Sequence, residues 1–178
     1  MRITGGILKN RKIIAPKDAS KLRPTTDKLR SAFFSSIGGI EGAAFLDLFA
    51  GTGAVGLEAI SRGADRVTFL DIDVRCIEKN ISVIPAGVEF NIISSDILQA
   101  GKRLTGRVFD IIYIDPPYSA FSPDIVLMQL KGNLATDTLI GYEESVRSPF
   151  LIPDGFNIMK ERRYGETVLR YIKQNSLR

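Results

Sequence analysis

Near the middle of the chain, Asp115-Pro116-Pro117-Tyr118 joins a carboxylate, two prolines and an aromatic ring. These residues follow the apolar run Val108 to Ile114, which reads as a strand buried on both faces. Ligands of open α/β sheets bind outside the carboxyl ends of such strands. Two prolines remove two backbone donors and stiffen the turn. It therefore offers a ligand the Asp115 carboxylate, backbone carbonyls and an aromatic face. That is an acceptor site for an amine. An exocyclic base nitrogen is a poor nucleophile because its lone pair is delocalised into the ring. If the Asp115 carboxylate and the Pro116 carbonyl each accept one N–H, the nitrogen pyramidalises and can turn its lone pair toward an electrophile. Tyr118 stacked on the base would hold it in line, and the excess proton would leave to Asp115 or water. The competing reading is a rigid surface turn, since Pro-Pro often marks loops.

A second constellation lies upstream. Gly51-Thr52-Gly53-Ala54-Val55-Gly56 fits GxGxxG between a strand, Ala44 to Phe49, and a helix from about Gly53 to Ser61. Asp71 stands twenty residues beyond the first glycine, where a carboxylate can accept hydrogen bonds from ribose hydroxyls. A nicotinamide dinucleotide and S-adenosylmethionine would both use these features. Asp47, inside the strand, separates them. At about 4 Å and an effective dielectric near 20, a carboxylate opposes a pyrophosphate by about 4 kcal/mol and attracts an ammonium by as much. S-adenosylmethionine carries an α-ammonium and a sulfonium. Asp47 with Phe49, Ala50, Gly51 and Gly53 is thus expected on its aminoacyl side, Asp71 and Ile72 at the ribose, and Asp96 and Ile97 at the adenine. Asp96 can equally cap a helix, and Asp47 can be read as a buried, hydrogen-bonded strand carboxylate.

The elements that must position these residues alternate β and α after Gly42, as a doubly wound sheet requires. The expected strands are Ala44 to Phe49, Arg66 to Asp71, Val88 to Ile93, Val108 to Ile114, Thr138 to Glu143, Phe156 to Arg162 and Thr167 to Lys173. The last two can pair antiparallel across Tyr164-Gly165. A short helix should contain Cys76 and Ile77, another should follow Asp96, and a third should run from about Pro123 to Leu134. Before the sheet, Arg2 to Thr4 and Lys12 to Ala15 flank Gly5-Gly6 and read as a small hairpin or arm outside the main sheet. A helix capped by a threonine of Arg23-Pro24-Thr25-Thr26-Asp27 runs through Leu29, Phe33, Phe34 and Ile37.

A length of 178 residues suits one domain, 44% apolar and 25% charged residues suit a folded protein, and a single cysteine excludes an internal disulfide. With no histidine, a zinc site would lack its usual ligands, so metal-free chemistry is expected. No apolar stretch has the length of a membrane span and the first residues lack a signal peptide's apolar region, so the expected location is cytoplasmic. Nine Lys/Arg against two acids give residues 1–30 a net +7, six against two give residues 160–178 a net +4, and residues 31–159 carry −7. Such a split suits a polyanion clamp flanking an acidic pocket, although charged chain ends are often merely solvated.

Across nearly its whole length the chain resembles the RsmD family of bacterial methyltransferases, which act on a guanine N2 of 16S ribosomal RNA. Arg2-Ile3-Thr4-Gly5-Gly6 with Arg11-Lys12, and Arg23-Pro24-Thr25-Thr26-Asp27 with Arg30 and Phe34, carry the resemblance most specifically. Asp47 to Gly53, the Asp115 to Tyr118 turn and Arg163-Tyr164-Gly165-Glu166-Thr167 agree. The resemblance implies a Rossmann-like S-adenosylmethionine-dependent fold with a mostly parallel seven-stranded sheet and an antiparallel last strand. One domain would comprise a basic arm and helix (1–40) and a catalytic core (41–178). It also implies Thr26 and Arg30 near the donor's carboxylate, and a monomer acting on 16S rRNA in the assembling small subunit. Arg2, Lys9, Arg11, Lys12 and Arg23 would bind RNA, and S-adenosylhomocysteine would be the product. Asn10 stands where the family usually has glycine and Asp71 where glutamate is more usual. Asparagine still tolerates a left-handed turn, and aspartate keeps the ribose acceptors.

Three rivals remain on the sequence alone. The first is a DNA or RNA methyltransferase for adenine N6 or cytosine N4, disfavoured for DNA because so short a chain has no separate target-recognition domain. The others are an NAD-dependent oxidoreductase and a non-catalytic RNA-binding factor with a vestigial pocket, against which Asp115 and Tyr118 weigh.

Overall fold

Strands that are apolar on both faces need a sheet covered on both sides. The structure, a computed structural model that describes residues 1–15, 27–117 and 120–175, has that arrangement. Parallel strands β1 (Ala44–Leu48), β2 (Arg66–Asp71), β3 (Glu89–Ser94), β4 (Phe109–Ile114) and β5 (Leu134–Ser145) are followed by β6 (Phe156–Tyr164) and β7 (Thr167–Gln174). The spatial order is β3-β2-β1-β4-β5-β7-β6, and β7 runs antiparallel to both of its neighbours. The fold is therefore the expected Rossmann-like α/β sheet. Its connections reverse direction between β1 and β4, so their outgoing loops part to opposite faces and open a crevice.

Helices α1 (Asp27–Ile37), α2 (Ala54–Ser61) and α3 (Arg75–Asn80) belong to one layer; α4 (Ala100–Arg103) and α5 (Pro123–Gln129) belong to the other. Phe33, Phe45, Phe69 and Tyr113 fill the first core, and Leu46, Ile112, Leu127 and Tyr142 the second, all fully buried. Each such side chain contributes roughly 1.5–3 kcal/mol of apolar burial. Helix α2 lies so close to β2 that a Cβ on Gly56 would meet the Phe69 ring at 2.2 Å. That contact explains the last glycine of the GxGxxG pattern.

Two expectations need correction. The N-terminal segment is a minimal hairpin outside the sheet, with an antiparallel bridge between Arg2 and Lys12 and the Ile3 and Ile13 N–H groups donating to the Arg11 and Met1 carbonyls at 3.0 and 3.1 Å. It does not project as an arm: Ile3, Leu8 and Ile13 are buried in the first core. Thr4 donates its backbone N–H and hydroxyl to Glu58 at 2.7 Å each, and the backbone N–H of Leu8 donates to the Ser61 hydroxyl at 2.8 Å. The left-handed Gly6 sits where a Cβ would collide with the Ser61 carbonyl. The helix expected to reach Leu134 ends instead at Gln129. A 3₁₀ turn, Lys131–Asn133, follows, and Asn133 donates to the carbonyls of Leu104 and Arg107. Leu134 already belongs to β5.

Candidate active site

One cavity of about 460 Å³ opens at the carboxyl edge of the sheet, at the reversal between β1 and β4. Asp47, Asp71, Asp96 and Asp115 all line it, as do Pro116 and Pro117. Its volume lies in the range of small-molecule sites. The walls are mainly apolar, from Phe49, Leu70, Ile72, Ile97 and Phe121.

Asp47 projects from β1 toward α2, where its Oδ2 accepts the Gly56 backbone N–H at 2.8 Å. Only 2% exposed, its carboxyl is raised by burial to about 8, a shift opposed by the Gly56 N–H, reinforced by Asp71 and opposed by Arg30. Burial thus favours the protonated form of Asp47 near neutral pH, and a cation beside it would favour the charged one. Asp71 ends β2 and braces the glycine turn. Its Oδ2 accepts the Gly51 N–H at 2.7 Å and its Oδ1 the Asp73 N–H at 2.9 Å. Each carboxylate oxygen keeps lone-pair capacity for a ligand hydroxyl. Asp96 accepts the Leu98 N–H at 2.8 Å, so it caps the 3₁₀ turn Ile97–Gln99 while facing the cavity. Cap and ligand contact are compatible there.

Phe49 holds a φ of 62°, uncommon for a bulky residue, and its ring lies 5.7 Å from that of Phe121. The glycine turn and the loop after Pro117 thus meet through two aromatic rings. Gly53 stays out of the cavity wall; its N–H donates to the Ala50 carbonyl at 2.7 Å and its φ of 75° turns the chain into α2. Ala50, Gly51 and Thr52 of the expected turn line the cavity, joined by residues the sequence did not single out, among them Met1, Ser95 and Phe121.

Arg30, expected near the donor's carboxylate, does not itself line the cavity. It is fully buried and outside the cavity wall, with Nε on Glu58 at 3.2 Å and Nη2 on Asp27 at 2.9 Å and on the Arg2 carbonyl. Its Nη1 has no hydrogen-bond partner among the described residues, and its charge acts on Asp47. The reason is Glu58. That buried carboxylate takes Arg30, Arg62 and Thr4 together, an arrangement that sequence spacing does not reveal. Arg2 is exposed and ties down its own turn through the Asn10 carbonyl at 2.8 Å, while Lys9, Arg11 and Lys12 are exposed on that turn. Thr26, Arg23 and Tyr118 lie outside the described residues.

A sheet of this order, with a glycine turn after its first strand and an Asp-Pro-Pro turn after its fourth, defines a Rossmann-like methyltransferase. Known proteins agree with that class. The family described as Conserved hypothetical protein 95 matches residues 1–173. Ribosomal RNA small subunit methyltransferase D of Escherichia coli (strain K12) is 31% identical over 99% of this chain and 91% of its own length. The protein of that name from Buchnera aphidicola subsp. Acyrthosiphon pisum is 32% identical over 90% and 86%. The chain belongs to the ribosomal RNA small subunit methyltransferase D (RsmD) family. Among solved structures, the E. coli protein yhhF, described as a candidate methyltransferase, superposes with a TM-score of 0.82 at 31% identity over 99% of both chains. A candidate methyltransferase solved with S-adenosylhomocysteine shares the fold at a TM-score of 0.65 and 16% identity, over 93% of this chain and 52% of its own. Among the described residues no helix is long and apolar enough to cross a membrane.

Proposed function

We propose that this protein transfers a methyl group from S-adenosylmethionine to the exocyclic N2 of a guanine in 16S ribosomal RNA. The observation that carries the reading is that Asp47, Asp71 and Asp96 share one cavity with Asp115, Pro116 and Pro117. A cationic nucleoside and an amine-bearing base can thus meet in it. The residues fit the donor: a buried carboxylate whose ionisation a neighbouring cation would favour, a second at the C-terminus of β2, and apolar walls around a polar end. The relatives' name supplies the RNA.

When bound, S-adenosylmethionine supplies an electrophilic methyl on a sulfonium. The chain's own part is positioning and electrostatics. Asp47 faces the aminoacyl ammonium. Asp71 and Ile72 hold the ribose, and Asp96 and Ile97 the adenine. Asp115 and the Pro116 carbonyl each accept an N–H of the target amine, and the Asp115 carboxylate offsets the positive charge that grows on nitrogen. Tyr118 stacks on the base. A base inside a duplex cannot reach such a cavity, so the target is unpaired or flipped out. The excess proton leaves to Asp115 or to water.

The test is to incubate the protein with labelled donor and undermethylated small-subunit particles, then digest the RNA to nucleosides. Label in N2-methylguanosine supports the reading. Label in N6-methyladenosine or N4-methylcytidine would keep the turn's chemistry and replace the base. No label would remove the activity.

A further inference from the structure

Strand β6 forms one edge of the sheet and carries more positive charge than the fold uses. In the β6–β7 hairpin, Glu161 pairs with Arg170, Glu166 with Arg147, and Lys173 with Asp137. Both acids of the hairpin are thereby taken. Lys160, Arg162 and Arg163 remain exposed, in no ion pair among the described residues.

Register places these cations relative to the active site. Ile114 lies opposite Tyr142, so Asp115, one residue on, stands level with Glu143. Glu143 pairs with Leu169, and Leu169 with Arg162. Directly paired residues share a face, and Leu169 packs in the same core as Tyr113. Arg162 therefore stands on the face of Asp115 and at its level, three strand spacings or about 14 Å along the sheet. Lys160 follows on that face, with Nζ 5.4 Å from the centre of the Tyr171 ring. Arg163 stands by the turn, its Nε donating to the Gly165 carbonyl at 2.9 Å. That turn lies at the sheet edge into which Asp115 opens.

We infer that Lys160, Arg162 and Arg163 form a second RNA contact, holding phosphates of the strand that flanks the target nucleotide while the base occupies the Asp115 turn. The inference rests on RNA being the substrate, as proposed above. Charge complementarity selects the partner: uncompensated cations level with an acceptor turn suit a phosphate backbone. Charged residues on an edge strand also discourage edge-to-edge aggregation, so the experiment must separate the two roles.

Charge reversal does so. A variant carrying Lys160→Glu, Arg162→Glu and Arg163→Glu keeps a charged edge but repels phosphate. With labelled S-adenosylmethionine and undermethylated small-subunit particles, KM for the particle should rise tenfold or more, with kcat within about twofold and S-adenosylhomocysteine affinity unchanged. The log–log salt slope of binding to naked 16S RNA should fall by about 2, from roughly 0.7 for each single-strand phosphate neutralised. Wild-type KM and slope would overturn the inference and leave the charges as edge protection. A raised KM with an unchanged slope on naked RNA would also overturn it, in favour of a contact with protein. If the triple variant fails to fold, Arg162→Glu alone carries the test, with KM expected up about threefold. Absence of any methyl transfer by the wild-type protein would refute the proposed function, whereas the salt slope judges this surface independently.

Discussion

Binding of S-adenosylmethionine should drive a proton out of the protein, and Asp47 should be its source. The Asp47 carboxyl is raised to about 8, chiefly by burial. At pH 6 roughly 1% of it is therefore ionised, and at pH 7 roughly 10%. A cationic ligand binds the ionised form, so affinity should rise nearly tenfold per pH unit between about 5.5 and 7. In that window the ligand's own α-ammonium, ordinarily with a pKa near 8, stays charged. Isothermal titration in two buffers of different ionisation enthalpy should count close to one proton released per ligand at pH 6.5. Asp47→Asn retains an oxygen for the Gly56 N–H and removes the titration. Its affinity should be flat across the window and about 10- to 100-fold weaker than wild type at pH 7.5. A wild-type affinity independent of pH, with no proton released, would refute the reasoning. A variant that keeps the wild-type slope would move the titrating group elsewhere.

The same carboxyl sets a stability trend. Its folded pKa lies above the unfolded 3.8, so the ligand-free protein should lose about 1.4 kcal/mol per pH unit from this group between about 4 and 8, and Asp47→Asn should flatten the loss in thermal melts. Asp115→Ala should abolish methyl transfer while S-adenosylmethionine affinity stays within a few-fold, and equal loss of both would show Asp115 to be a cofactor residue. Replacing Arg11 and Lys12 by serine should lower the salt slope of RNA binding by up to about one log unit for each phosphate no longer neutralised, whereas an unchanged slope returns them to solvated surface. Asn80→Ala removes hydrogen bonds to Ile14 N–H, Ile14 O and Thr52 O and should cost about 2–3 kcal/mol, read by denaturant unfolding and by faster hydrogen exchange at Ile14.

Sequence reading works where the physics is local. The β–α alternation, the strand ends at Asp71 and Asp115, the cap at Asp96 and the hairpin across Tyr164-Gly165 all follow from periodicity and turn chemistry, and the structure has each of them. Asn10, expected to tolerate a left-handed turn, has a φ of 70°. What escapes is set by contacts distant in sequence. Thr4 meets Glu58 and Ile14 meets Asn80 across 54 and 66 residues, so nothing near Arg2 to Ala15 signals that the segment is clamped to α2 and α3. The hold of Glu58 on Arg30 spans 28 residues and escapes in the same way. The end of α5 depends on the carbonyls of Leu104 and Arg107, which capture Asn133. Phe121 and Met1 enter the cavity wall from loop and terminus, where no periodicity aims a side chain.

The unfavourable features of this protein gather where the sheet reverses. A carboxylate sits between Leu46 and Leu48 in a strand buried throughout, an aromatic residue follows at positive φ, and a buried guanidinium beside them leaves one nitrogen without a partner among the described residues. Each is destabilising in isolation, at roughly 1–3 kcal/mol for the backbone conformation and similar amounts for an unmatched buried polar group. The neighbouring strands β2 and β4 flank β1 with apolar residues, among them Val67, Phe69, Ile112 and Tyr113. That rigid frame holds Asp47 out of water, and the same desolvation that keeps it protonated strengthens its attraction for a cation once it ionises. Asp47, Asp71, Asp73, Asp96 and Asp115 all lie on the cavity wall. A pocket of this kind is suited to a ligand whose positive charge relieves the local penalty, which is the physical argument for the sulfonium methyl donor proposed above over a dinucleotide phosphate.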